Sequence, residues 1–196
     1  FTFDEEALMQ TDFKNYLKRN HPKETTKLLN GVFCWGNNHK DLLIKAGFST
    51  SQIVRTGNPR FDPYINNHRK GVKISNGNKV ILICSRFASA NPNKKILSSL
   101  DKRDSTESYI KDCIITLDYL LKLPKLIRDN GINTKILIRP HPSESLQKWK
   151  DSIKGLDNIV VECKGPIKEL FNYTSLLIHN RCTTAIEAFL SNVPVI

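Results

Sequence analysis

Lys135-Ile136-Leu137-Ile138-Arg139-Pro140-His141-Pro142 is a run of strand-forming residues that ends abruptly in a loop carrying a cation and an imidazole between prolines. Isoleucine and leucine without polar alternation suit a strand covered on both faces, as in a parallel sheet. Working outward, the same grammar recurs. Ser175-Leu176-Leu177-Ile178 gives way to His179-Asn180-Arg181-Cys182-Thr183-Thr184-Ala185-Ile186-Glu187-Ala188, and upstream Lys79-Val80-Ile81-Leu82-Ile83-Cys84 is another continuous apolar run. Beyond that run, strands are predicted at 135–139, 158–163, 175–179 and 193–196, with helices at 144–154, 166–172 and 183–191. Strict alternation implies an α/β fold with a parallel sheet wound by right-handed crossovers. In open sheets of this kind ligands bind outside the carboxyl ends of the strands, where both motifs begin.

The amino-terminal part is read the same way. Residues 1–30 are polar and charged with scattered Leu and Phe, and Asp4, Glu5 and Glu6 suit a first helical turn. Val32-Phe33-Cys34-Trp35 is a short strand, followed by a helix from about Asn38 to Ala46 closed by Gly47. Gln52–Thr56 is the next strand, broken by Gly57-Asn58-Pro59. Residues 62–78, with Pro63, Asn66, Asn67, Gly71, Asn76 and Gly77, read as a linker. Residues 88–107 read as a long loop or insertion. A long helix is expected over Glu107–Asn130, with Pro124 as a kink. The domain expectation is therefore 1–61, a linker at 62–78, and 79–196. The chain starts without Met and stops at Val193-Pro194-Val195-Ile196, a buried-strand pattern lacking its cover, so it reads as an internal fragment.

A balance of 30 Lys+Arg against 19 Asp+Glu, a formal +11, favours anionic partners. The basic residues are spread along the chain without interleaved aromatics, which argues against nucleic acid. Five cysteines, Cys34, Cys84, Cys113, Cys163 and Cys182, are widely spaced and odd in number. Neither a zinc site nor a disulfide framework follows; reduced, buried thiols in a cytosolic protein do. No apolar run approaches the roughly 20 residues of a membrane span, and no signal peptide is visible.

Thr183 and Thr184 fall where a helix begins, so backbone N–H groups, the positive end of the helix dipole and two hydroxyls converge, an arrangement that suits a phosphate. Glu187, a turn later, has the reach to accept hydrogen bonds from a ribose diol. The competing reading is a capping box, with Thr at the N-cap and Glu three residues on. In the other motif Arg139 supplies a permanent positive charge and His141 a donor, against the ordinary reading of a structural histidine. Cys182 beside Thr183 is not read as a nucleophile, because no histidine in the sequence is placed to activate it.

Taken in order, Trp35-Gly36, Thr56-Gly57-Asn58-Pro59-Arg60-Phe61-Asp62, Arg139-Pro140-His141-Pro142 and Thr183-Thr184 with Glu187-Ala188 resemble GT-B glycosyltransferases. The resemblance is strongest to bacterial proteins of capsule, lipopolysaccharide and other surface-carbohydrate synthesis. It covers about residues 32–196 and implies two Rossmann-like domains, of which this chain holds the end of the acceptor-side domain and most of the donor-nucleotide domain. Similar CDP-glycerol polymerases and CMP-sugar transferases carry a His-Pro motif and a later Ser/Thr pair that contact the donor. By that likeness His141, Thr183 and Thr184 hold the donor phosphates and Glu187 serves the nucleotide; Arg139, by its charge, is read as offsetting the charge on the leaving phosphate. The chain departs from the CDP-glycerol pattern at His179-Asn180-Arg181-Cys182, where an Asp-Tyr type of stretch is expected, which leaves the donor open.

Ser85 and Arg86 close the first strand of the expected donor domain and are read as donor-phosphate contacts facing the cleft between domains, against the plain reading of a loop serine and a surface arginine. Asn58 and Arg60 are read as shaping a turn. Lys94, Lys95, Lys148 and Lys150 are read as a solvated face, or as a peripheral contact with acidic lipid. The resemblance thus implies a cytoplasmic enzyme, at the inner face of the membrane if lipid-associated. It would move a sugar or polyol phosphate from a nucleotide-sugar or CDP-polyol donor to a glycan or lipid-linked acceptor, without metal or cofactor. The general base is expected in the other domain and none is assigned. Rival readings are a nucleotide-sugar 2-epimerase, which would want a Gly-rich stretch where Arg181-Cys182-Thr183-Thr184 stands, and an inactive nucleotide-sugar-binding module.

Overall fold

The computed structural model describes residues 2–3, 21–69, 79–98 and 107–196. The chain divides into two compact units, Phe1–Arg69 and Lys70–Ile196. Each carries its own parallel sheet.

In the first unit β1 (Thr2–Phe3), β2 (Val32–Cys34) and β3 (Ile53–Arg55) form a three-stranded sheet in that order. Thr2 and Phe3 pair with Val32 and Phe33, which corrects the helical reading at these two positions; residues 4–20 lie outside the described residues. Helix Asn37–Ala46 ends as the sequence predicts. Gly47 sits at φ 104°, and the Phe48 amide bonds back to the Leu43 carbonyl at 3.1 Å, so the left-handed cap places Phe48 under the helix. Val32, Cys34, Leu43, Ala46 and Phe48 form the core.

The expected linker is corrected in its first half. Asp62–Arg69 is a helix, because Asn58 accepts from the Arg60 amide at 3.0 Å, Pro59 presets the turn that follows, and Phe61 and Tyr64 are buried. Asn58 shapes a turn, as expected. Residues 70–78 lie outside the described residues.

In the second unit β4 (Val80–Ser85), β5 (Lys135–Pro140), β6 (Ile159–Val161) and β7 (Thr174–His179) are parallel, in the order β6-β5-β4-β7. Val195 bridges Leu177 in parallel, with the Leu177 amide on the Pro194 carbonyl at 2.8 Å, so the terminal segment lies along the free edge of β7. Ile81 and Ile83 pair with Ile136 and Ile138 and face a core completed by Phe87, Cys113, Leu117, Ile127, Trp149 and Ile159. Helix Glu107–Asp129 supplies Cys113, Leu117 and Ile127 to it, with Pro124 inside the helix. Leu82 and Leu177, at one register, are fully buried on the opposite face by the strand's alternation.

Within the expected loop at 88–107, Lys94–Leu97 forms one helical turn, capped by Asn93 accepting from the Ile96 amide at 2.8 Å; residues 99–106 lie outside the described residues. All five cysteines are free.

Candidate functional site

The sheet order reverses at β4. Chain direction runs β4, β5, β6 to one side and then returns to place β7 on the other, so the carboxyl end of β4 is a topological switch point of the sort at which open sheets open a crevice. The two motif strands, β5 and β7, flank β4 and do not neighbour each other. Register puts Arg139, Cys84 and His179 side by side, and Ser85 beside Pro140.

Between the motifs lies a residue that sequence reading passed over. Glu144 is 3% exposed and its carboxylate gathers three donors: the Ser85 hydroxyl at 2.8 Å, the His141 amide at 3.0 Å and the Trp149 indole N–H at 3.3 Å. The loops after β4 and β5 are zipped around it. The His141 amide lies 3.1 Å from the Ser85 carbonyl, the Asn93 amide donates to Ser143 O and the Ser145 amide to Asn91 O; the Asn91 and Asn93 side chains reach the Ser145 and Pro142 carbonyls. Nothing local marks Glu144 as buried. Its neighbour Ser145 carries the only local signal, as N-cap of helix Leu146–Ser152.

Each expected site residue can now be located. Ser85 is 1% exposed with its hydroxyl given to Glu144, so it builds the loop and does not present itself to a phosphate. Arg86 follows it on the exposed side. Arg139 donates to the Lys164 carbonyl at 2.9 Å and to the Gly165 carbonyl, fastening the loop after β6 to the end of β5. His141 is exposed; its Nδ1 accepts from the Ser143 amide at 3.2 Å and touches the Ser143 hydroxyl at 2.5 Å. An amide can only donate, so the neutral ring carries its proton on Nε2.

Thr183 and Thr184 are each 9% exposed at the start of helix Thr184–Leu190. The capping box is absent: the Thr183 side chain makes no cap bond, and Glu187 falls one place beyond the third helical position. Glu187 is 3% exposed, because Thr184, Glu187 and Ala188 share the buried stripe of this helix, spaced three and four apart. The expected ribose contact is therefore not offered on the helix surface.

The turn into this helix is built by His179, whose Nδ1 accepts from the Cys182 amide at 3.3 Å. Arg181 sits within that turn at φ 45°, a left-handed conformation that disfavours a side chain by about 1–2 kcal/mol. Burial holds the His179 imidazole below its ordinary pKa. A histidine depressed in the folded state binds its proton more readily when unfolded, so stability should fall as pH drops below about 6.5. Urea midpoints between pH 7.5 and 5.5 are expected to decline less steeply in His179→Gln than in the parent; equal slopes would refute this role. Burial first, and then the Cys182 thiol, push the Cys84 thiol up against an opposing pull from Arg139, leaving it protonated and unsuited to attack. Among the described residues no group of three His, Cys, Asp or Glu side chains is arranged to hold a metal ion, and no helix is long and apolar enough to cross a membrane.

No protein-family model matches the chain, and no curated protein matches it. Among solved structures it is similar to the wall teichoic acid polymerase TagF. A substituted variant matches at 16% identity and TM-score 0.47, covering 93% of this chain and 41% of that one. The variant soaked with CDPG matches at 16% and 0.48, covering 93% and 40%. The unsubstituted polymerase matches at 14% and 0.46, covering 93% and 41%. The chain thus spans about two fifths of the length of these structures.

Proposed function

We propose that this chain is the donor-binding part of a glycosyltransferase-like protein of surface-polymer synthesis, which moves a sugar or polyol phosphate from a nucleotide-linked donor to a glycan or lipid-linked acceptor. The observation that carries the reading is the reversal of strand order at β4, with the His141 loop on one flank of the switch point and the Thr183–Thr184 turn on the other. His141, with its proton on Nε2, is a donor toward a phosphate oxygen. The start of helix Thr184–Leu190 adds the Thr183 and Thr184 hydroxyls, while its Ala185 and Ile186 amides are taken by the Cys182 and Thr183 carbonyls at 3.1 and 3.0 Å. Such groups offset the charge that develops on a departing nucleotide phosphate, with no metal required. Glu144 acts indirectly, by holding the His141 amide in place.

The reading is tested by titrating the protein with CMP, CDP, UDP and GDP. One nucleotide is expected to bind, and His141→Ala to weaken it about tenfold, or about 1.4 kcal/mol. Because His141 is exposed, that substitution should change stability by under about 1 kcal/mol. Thr184→Ala should weaken binding comparably. No binding of any of the four, or no nucleotide release from linked donors with a glycan acceptor, sinks the transferase reading; binding without release on any acceptor would favour a binding module.

A further inference from the structure

Beside the switch point, Asp112, Cys113, Thr116, Asn180 and Arg181 line a small cavity of about 60 Å³, between helix Glu107–Asp129 and the turn leaving β7. That is far below the roughly 300–1,000 Å³ of pockets that enclose whole drug-sized ligands, so it suits one chemical group of a larger guest. Arg181 is its cation. Among the described residues every other position with a left-handed φ is glycine or asparagine (Asn158, Asn192 and five glycines), the residues that adopt it at least cost. An arginine kept at such a position is an outlier that calls for a reason.

Packing does not supply one. The Arg181 side chain is exposed, its guanidinium 5.6 Å from the centre of the Tyr109 ring and hydrogen-bonded to that side chain, contacts that hold a cation in place and take up only part of its five N–H donors. Among the described residues no carboxylate lies within ion-pair distance of it. The other arginine of the motifs, Arg139, is occupied by the Lys164 and Gly165 carbonyls.

We infer that Arg181, seated over Tyr109 and held in a left-handed turn, is the arginine that binds a phosphoryl group at this edge of the sheet. The cavity carries one negative wall, Asp112, and neutral polar walls at Thr116 and Asn180. It therefore takes a guest with a phosphoryl group at Arg181 and hydroxyls toward Asp112, Thr116 and Asn180: a phosphorylated polyhydroxy compound rather than a bare polyanion. The assignment rests on the donor reading for the nature of that compound and not for the phosphoryl contact itself.

Two substitutions separate binding from structure. Arg181→Asn keeps a residue at home in the left-handed region, and Arg181→Gly removes the backbone penalty altogether. With the full chain at low ionic strength, titration with inorganic pyrophosphate and with CDP and UDP is expected to show at least tenfold weaker binding in both variants. Their melting temperatures should equal or exceed the parent's. Unchanged pyrophosphate binding in both variants overturns the assignment, as does a drop in melting temperature with binding retained, which would make Arg181 a packing residue. No binding of pyrophosphate or nucleotide by the parent also overturns it. Pyrophosphate bound through Arg181, with neither nucleotide bound more tightly, leaves the arginine's role standing and counts against the donor reading. Nucleotide bound equally well by parent and variants does the reverse.

Discussion

Replacing Trp149 by alanine should cost about 3–5 kcal/mol, the largest loss expected from any single change in the second unit. The side chain is fully buried, packs in the core formed with Ile83, Phe87 and Ile138, and donates its indole N–H to Glu144 at 3.3 Å. Truncation opens a cavity beneath the ends of β4 and β5 and removes one of the three donors that hold a buried carboxylate. Trp149→Phe separates these effects, since it keeps most of the ring while deleting the N–H. It is expected to cost about 1–2 kcal/mol, mainly the hydrogen bond to a charged acceptor. Urea denaturation followed by circular dichroism gives both values. A loss under about 1 kcal/mol in Trp149→Ala would mean that helix Leu146–Ser152 does not anchor the sheet as described.

Glu144→Ala should cost about 3 kcal/mol, because it strands the Ser85 hydroxyl and the Trp149 N–H and leaves the His141 amide only its 3.1 Å bond to the Ser85 carbonyl. Glu144→Gln keeps one acceptor oxygen and should cost about half of that. The second readout is functional. With the knot undone, the His141 loop loses its register against β4, so nucleotide binding should weaken in Glu144→Ala even below the denaturation midpoint. Trp149 and Glu144 share one network, so a double substitution should cost less than the sum of the two. Additive losses, with nucleotide affinity untouched, would show that Glu144 serves stability alone.

Much of this fold could be read from local chemistry, because burial on both faces of a parallel sheet forces long apolar runs and glycine punctuates the helix ends. Val80–Ser85, Lys135–Pro140 and Thr174–His179 stand within a residue or so of expectation, as does the Gly47 cap. The errors fell where local signals compete. Asp62–Arg69 carries proline and asparagine that also suit a loop, and only the burial of Phe61 and Tyr64 makes it a helix. Thr2–Phe3 is a strand because β2 offers it an edge, information that sits thirty residues away.

Arg139-Pro140-His141-Pro142 and His179-Asn180-Arg181-Cys182-Thr183-Thr184 determine by themselves that two strands end in polar, donor-rich turns on one edge of a sheet. That much follows from hydrophobic periodicity and breaker residues. Which side chains remain available at those turns was decided by tertiary structure, because hydrogen-bond satisfaction is a property of neighbours remote in sequence. Ser85 is consumed by Glu144, Arg139 by the Lys164 and Gly165 carbonyls, and Glu187 is turned into the buried stripe of its helix. Strand order likewise depends on long-range pairing: β4 lies between the two motifs, and the turn after β7 holds Arg181 in a left-handed conformation beside the Tyr109 ring.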